Sequence, residues 1–218
     1  MTTRVEERRG DVAVRGWWHE PARANGDGVL LTHGAGANCE SKLLVAVAEA
    51  FEAEGFTALR FDLPFRQERP HGPPRFGSAA RDREGIRRAI EVMKEKVHGR
   101  IFPGGHSYGG RQASMLIAEA PQLADGLLLL SYPLHPPRKT DQLRTAHFPK
   151  IERPAFFVQG TRDPFGSIAE MKAALELIRP PHAIVEVEGS GHDLLGKKAE
   201  DEVPGRIVRE FQIFIEQA

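Results

Sequence analysis

Gly105-His106-Ser107-Tyr108-Gly109 is a G-x-S-x-G pentapeptide, and the residues around it decide what the pattern means. Before it, Arg100-Ile101-Phe102 can end a strand. After it, Gly110 to Ala120, closed by Pro121, reads as a helix. A serine on the sharp turn from strand to helix is held in strained backbone geometry, with its hydroxyl pushed out above the sheet edge. The flanking glycines are required because a Cβ there would meet the neighbouring strand and helix. Ser107 is therefore a candidate nucleophile, in preference to a glycine-rich turn without chemistry.

A serine hydroxyl needs a base to take its proton, and the base needs an acid to orient it. Asp163, in Gly160-Thr161-Arg162-Asp163-Pro164, directly follows the apolar run Phe156–Val158. His192, in Ser190-Gly191-His192-Asp193, follows Ala183–Val187. The chain order Ser107, Asp163, His192 is the serine–acid–histidine order of the α/β-hydrolase arrangement. Asp-Pro also favours turns, so Asp163 has a plain turn or helix-cap reading, and His192 has one as a loop residue. Asp193 and Asp141 are weaker candidates for the acid. The developing oxyanion needs N–H donors. Tyr108, just after the nucleophile, supplies one, and Ala35 in His33-Gly34-Ala35-Gly36 the other. Gly36 is the alternative donor and a candidate substrate contact.

Other side chains have simpler readings. His106 is expected to pack beside the nucleophile with its ring pointing away from Ser107, and His33 to order the small-residue loop. Cys39 reads as a small buried residue, and Trp17 and Trp18 as core or edge packing. Arg66 and Arg69, in the Pro- and Arg-rich stretch Phe65–Arg75, are candidate contacts for an anionic acyl or leaving group. The interleaved Glu68 favours an ordinary solvated loop instead. No histidine or carboxylate pair has metal-ligand spacing and no glycine-rich loop carries a phosphate-binding lysine, so no cofactor or metal is expected.

These residues must be positioned by elements the pattern predicts in alternation. A strand pair turns at Gly10-Asp11. Strands follow at Gly28–Thr32, Thr57–Phe61, Gly126–Tyr132, Pro154–Gly160 and Ala183–Val187. Helical spacing runs over Ser41–Glu54, Ser78–Val97, Ser167–Ile178 and from about Val203 onward, with Ile207, Phe211, Phe214 and Ile215 inward. Asp62 to Gly77 reads as loop. Alternation of this kind implies an α/β fold with a mostly parallel central sheet, helices on both faces, and ligands at the carboxyl ends of the strands. The insertion from Pro133 to Arg153 is too short for a large cap domain.

The chain has 218 residues, with 30 basic and 30 acidic side chains. That length suits one domain over 1–218. The balanced charge gives no reason to expect nucleic acid or a membrane surface as partner. One cysteine allows no internal disulfide. No N-terminal apolar region suggests a secretory signal, and no apolar run approaches the ~18 residues of a spanning helix. A cytoplasmic location is expected, and the sequence leaves the oligomeric state open.

Leu31–Ala37, Gly104–Gly110 and Leu130–Pro136 together resemble the α/β-hydrolase superfamily in its small, lidless type, similar in size to the dienelactone hydrolases. They are most similar to bacterial predicted hydrolases related to the hydrolase-like domain of testis-expressed and histone-acetyltransferase (NSL) complex subunits. Dienelactone hydrolases carry a cysteine nucleophile where Ser107 stands. The resemblance implies acyl chemistry on a small-molecule acyl substrate, with carboxylic ester or thioester hydrolysis leading. Peptidase or acyltransferase chemistry on the same residues, and a non-catalytic binding domain, are the alternatives.

Overall fold

The chain opens with a hairpin. β1 (Thr2–Arg9) pairs antiparallel with β2 (Val12–His19), and Gly10 takes φ +68° at the turn. The computed structural model describes residues 1–195 and 202–218. β3 (Gly28–Thr32) leads to α1 (Lys42–Ala53), and β4 (Thr57–Phe61) to a short helix α2 (Pro64–Glu68) and the long α3 (Ala79–Lys96). β5 (Ile101–His106) passes through Ser107 into α4 (Tyr108–Glu119). β6 (Leu127–Leu130), β7 (Ala155–Gly160), α5 (Ile168–Leu175), β8 (His182–Val187) and α6 (Val203–Gln217) complete the order.

The eight strands form one sheet in the order β1-β2-β4-β3-β5-β6-β7-β8. β2 meets β4 antiparallel, and every pairing from β4 to β8 is parallel. This is the α/β-hydrolase fold, and among the described residues no large cap domain covers it. The leucine run of β6 shows why its sequence is apolar throughout. Leu127 and Leu129 belong to the core cluster that includes the inner faces of α3, α4 and α5, whereas Leu128 and Leu130 belong to the cluster on the opposite face with α1 and α6. A strand buried on both faces has no solvent side to make polar.

Two local differences from the sequence reading have physical causes. The stretch from Asp62 is not all loop, because Pro64 opens α2 at a first-turn position where its missing N–H costs nothing. β5 does not end at Phe102 but continues through Pro103-Gly104-Gly105. Pro103 is registered with Leu30 of β3 and has no registered partner in β6, a place where a proline can sit in a central strand. The expected strands Gly28–Thr32 and Thr57–Phe61 coincide with β3 and β4, and the remaining boundaries differ by at most three residues. Ser167, for instance, caps α5 instead of belonging to it, in a reciprocal capping box with Glu170.

α6 is fixed by Phe211, which is fully buried and meets the rings of Phe51, Phe102 and Phe156 edge-on at 5.0–5.5 Å. Ile207 and Ile215 are buried beside it, and Phe214 is half-buried against the same cluster. Of the tryptophans, Trp18 is core, and the half-buried Trp17 donates from its indole to Glu40. Truncating Phe211 to alanine leaves three aromatic neighbours facing a void. The expected cost is about 3–5 kcal/mol in a urea titration, and a loss under 1 kcal/mol would show that α6 is not anchored there.

Candidate active site

Ser107 sits between β5 and α4 at φ 51°, ψ −115°, a left-handed region that costs a non-glycine residue about 1–3 kcal/mol unless its surroundings enforce it. They do. A Cβ on Gly105 would stand 2.0 Å from the Thr32 carbonyl oxygen, one on Gly109 2.7 Å from that of His33, and one on Gly110 2.5 Å from that of Gly105. The Ser107 N–H donates to Leu130 O at 2.9 Å and Gly109 N–H to His33 O at 3.2 Å, locking the turn between two strands. The motif glycines are thus steric requirements of the turn.

The three residues separated in sequence meet here. His192 Nε2 lies 2.8 Å from Ser107 Oγ, and His192 Nδ1 lies 2.8 Å from Asp163 Oδ2. An ionised carboxylate only accepts, so Nδ1 carries the proton and Nε2 is left to accept from the serine hydroxyl. The Asp163 carboxylate is shielded from solvent. Its Oδ2 also accepts from Gln159 Nε2 at 2.9 Å, and its Oδ1 from the Phe165 N–H at 2.9 Å. The Phe165 ring lies against the imidazole of His192, centroids 4.2 Å apart. Asp193, the weaker candidate acid, is exposed. A hydroxyl, an imidazole and a carboxylate joined in this order can move a proton off the hydroxyl as it attacks an electrophile.

His106 differs from its expected orientation. Its ring does not turn away from the site but lies 4.9 Å from that of His192 and forms part of the same cleft wall. Its Nε2–H donates to the His192 carbonyl at 2.7 Å, which pins the histidine loop to the end of β5. Burial pulls His106 down to about 4, so it is neutral near pH 7 and acts as a strut.

The Gly34–Ala37 loop is held from behind. Arg66 and Arg69 are not among the residues lining the cleft, which corrects the expectation that they contact substrate. Arg66 is buried, and its guanidinium is consumed by main-chain carbonyls. It donates to Ala37 O at 2.7 Å, Ala35 O at 2.9 Å, Gly72 O at 3.0 Å and Arg69 O at 3.0 Å. The Gly34 carbonyl, whose peptide carries the Ala35 N–H, is held by His33, and the Ala35 carbonyl, whose peptide carries the Gly36 N–H, by Arg66. Among the described residues the N–H groups of Ala35, Gly36 and Tyr108 have no protein acceptor. All three residues line the cleft, and Gly36 is exposed. His33 orders the start of the loop: its Nε2 accepts from Leu63 N–H at 3.1 Å, so its Nδ1–H donates to Gly34 O at 2.9 Å. The Tyr108 hydroxyl donates to the buried Asp82 at 2.7 Å, and Asp82 also accepts from Phe65 N–H. Cys39 is buried, and desolvation with the nearby Asp62 charge pushes its thiol up to about 12, which removes it as a nucleophile.

Ser107 opens into a cleft of ≈ 520 Å³, walled by the Gly34–Ala37 loop, Pro133, Phe165 and two arginines, Arg111 and Arg144. Sequence reading missed both arginines, Phe165 and Gln159. Gln159 and Phe165 flank Asp163 closely in sequence, so a search around the acid could have found them. Arg144 lies in irregular chain with no such signal. Among the described residues no group of three or more His, Cys, Asp or Glu could hold a metal ion, and no helix is long and apolar enough to cross a membrane.

A family model described as an alpha/beta hydrolase domain matches residues 25–213. The rat (Rattus norvegicus) protein named "Putative protein-lysine deacylase ABHD14B" is 24% identical, over 86% of this chain and 88% of its own. A dienelactone hydrolase from Anabaena variabilis superposes with a TM-score of 0.79 at 20% identity, covering 98% of each chain. XC6422 of Xanthomonas campestris, described as an α/β serine hydrolase without lid, has a TM-score of 0.75 at 13% identity, covering 97% of this chain and 94% of its own.

Two expectations follow from this packing. Arg66→Lys keeps the charge but cannot reach four carbonyls with one ammonium. It should lower the melting temperature by roughly 5–10 °C, reflecting about 2–3 kcal/mol of lost charged hydrogen bonds, and speed amide exchange at Ala37. An unchanged Ala37 amide would show that the loop holds itself. His106 and His147 both sit near 4 instead of the ordinary 6.5, because burial disfavours their charged forms. Between those values the unfolded chain binds more protons than the folded one, so stability rises with pH through that window and falls on acidification. Urea titrations at pH 6.5, 5.5 and 4.5 should show this decline, and His147→Gln should make it shallower.

Proposed function

The chain belongs to the alpha/beta hydrolase domain family, in its small lidless form, and on that premise we propose that it is a serine hydrolase cleaving a small carboxylic ester or thioester through an acyl-enzyme. One observation carries the reading: the unbroken Ser107–His192–Asp163 hydrogen-bond chain, 2.8 Å at each step, at the open end of the sheet. His192, oriented by Asp163, takes the Ser107 proton as Oγ attacks the carbonyl carbon. The Ala35 and Tyr108 N–H groups donate hydrogen bonds to the developing negative charge on the carbonyl oxygen. Collapse of the tetrahedral intermediate expels the alcohol or thiol, protonated by His192. Water, deprotonated by the same imidazole, then attacks the acyl-enzyme, and the carboxylic acid leaves with Ser107 regenerated.

The proposal takes residues 1–218 as one domain that acts in the cytoplasm on a small acyl substrate, with no cofactor, nucleic acid or membrane. Amide cleavage uses the same groups, and the rat relative's name directs acyl-lysine peptides into the substrate panel. The rival from another class is a binding domain that keeps the fold without turnover. The two are separated by a fluorophosphonate probe read by mass spectrometry. One adduct on Ser107, absent from Ser107→Ala, is expected, with labelling at least 10²-fold slower in His192→Ala. A folded protein that takes no adduct at Ser107 would overturn the hydrolase reading in favour of the binding domain.

A further inference from the structure

The cleft that holds the Ser107 hydroxyl also holds two cations with no carboxylate between them. Arg111 comes from α4, one helical turn beyond Ser107, and Arg144 from the irregular insertion after β6. Each guanidinium carries five N–H donors in a planar fork. The Arg111 side chain has no ion-pair partner among the described residues, and its Nε is enclosed without an acceptor. The polar group beside it is the buried Tyr132 hydroxyl, which is itself already bonded to Arg144 O. Arg144 uses one contact, a long 3.3 Å bond from Nη1 to Pro133 O. Its main chain is fixed more firmly: its N–H donates to Leu134 O at 2.8 Å, and its carbonyl accepts the buried Tyr132 hydroxyl at 2.6 Å. The two cations feel each other, since burial and the charge of Arg111 both lower Arg144. Glu119, the carboxylate in the adjoining hollow, is paired with Arg83 at 3.6 Å, and Lys150 adds a further cation there. His147, on the same side, is kept neutral by burial and by Arg111.

Like charges held together in a half-buried cleft, with unused planar donors, are costly alone and become favourable when an oxyanion bridges them. We propose that Arg111 and Arg144 form an anion subsite that binds a carboxylate or phosphate group of the substrate beside the Ser107 hydroxyl. The inference rests on reading this cleft as the substrate site, and it narrows the substrate class to esters or thioesters carrying a negative charge. Arg111 begins one helical turn from Ser107, a rise of about 5–6 Å, and its side chain lines the same cleft, so a charge carried on the acyl or leaving group is the one it would meet. A half-ester of a short dicarboxylic acid carries such a charge together with an ester carbonyl. The anion selection that the sequence suggests for Arg66 and Arg69 is thereby moved to a different pair of arginines.

Calorimetric titration of the Ser107→Ala protein tests this without turnover. The probes are monomethyl glutarate, the uncharged dimethyl glutarate, and inorganic phosphate. Monomethyl glutarate should bind at least tenfold more tightly than the dimethyl ester, and that preference should disappear in both Arg111→Gln and Arg144→Gln. Arg111→Gln breaks no ion pair among the described residues, and thermal melts verify that both variants fold. Arginine-dependent binding of phosphate but not of the half-ester would support the site and assign it to a phosphoryl group. Equal binding of charged and neutral esters with no phosphate binding, or a preference that survives both substitutions, would overturn it. The outcome is independent of fluorophosphonate labelling, so the anion site can fail while the nucleophile stands, and the reverse.

Discussion

Everything at the candidate site depends on one backbone conformation, the left-handed turn at Ser107. A serine released from its surroundings would relax out of it, so the neighbouring strands must leave it no alternative. They do this by contact distance. β3 approaches β5 so closely that only a hydrogen fits on Gly105, and the start of α4 presses against the end of β3 at Gly109. The strain is stored locally and balanced by a sheet buried on both faces. The adjacent strand ends in the same way, with Ser131 at φ 47° and its N–H bonded to Val158 O at 2.8 Å. Two neighbouring strands thus terminate in left-handed serines, and only one of them points its hydroxyl at a histidine.

The second dependence is on carbonyl orientation. A free N–H aimed into a cleft is unusual, because backbone donors ordinarily find acceptors. In the Gly34–Ala37 loop the carbonyls are claimed from behind by the His33 imidazole and by Arg66. Among the described residues the N–H groups that share the Gly34 and Ala35 peptides, those of Ala35 and Gly36, are left without protein acceptors in the wall of the cleft that holds Ser107. On the far side of the serine, His106 holds the histidine loop by its main chain, and Phe165 covers the imidazole ring. The nucleophile region is therefore clamped from both flanks by side chains that need not touch a substrate.

This division explains what could be read from the sequence. Ser107, Asp163 and His192 were legible because each sits at a strand's carboxyl end, where the chain order and the local glycines mark the position. The strands and main helices were legible for a similar reason, since β6 and α6 announce their burial by composition and spacing. Arg66 was misread because its partners, Ala35 and Ala37, lie about thirty positions earlier in the chain. An arginine among prolines and charges resembles a solvated residue until the fold closes around it. His106 was misjudged as turning its ring away from the site, whereas β5 ends at His106 and the ring stays in the cleft wall beside His192. Pro103 and the short α2 were missed because proline signals a break in isolation, and only pairing shows where a break is tolerated.

The same logic separates the arginines of this chain into two kinds. Arg66 is spent: buried, with four carbonyl partners that use its fork completely enough to leave nothing for a ligand. Arg111 and Arg144 are unspent, and no sequence rule distinguishes them, because the difference lies in what surrounds each guanidinium. A cation fully bonded to the main chain shapes a loop, whereas one held near another cation with its donors free creates a field that a diffusing anion can answer. Carboxylates follow the complementary pattern. Asp163 is withdrawn from solvent and used up on His192, Gln159 and Phe165, so it adds no competing charge to the cleft surface. The cleft therefore combines a carboxylate hidden behind the imidazole with two guanidinium groups in the wall beyond the serine.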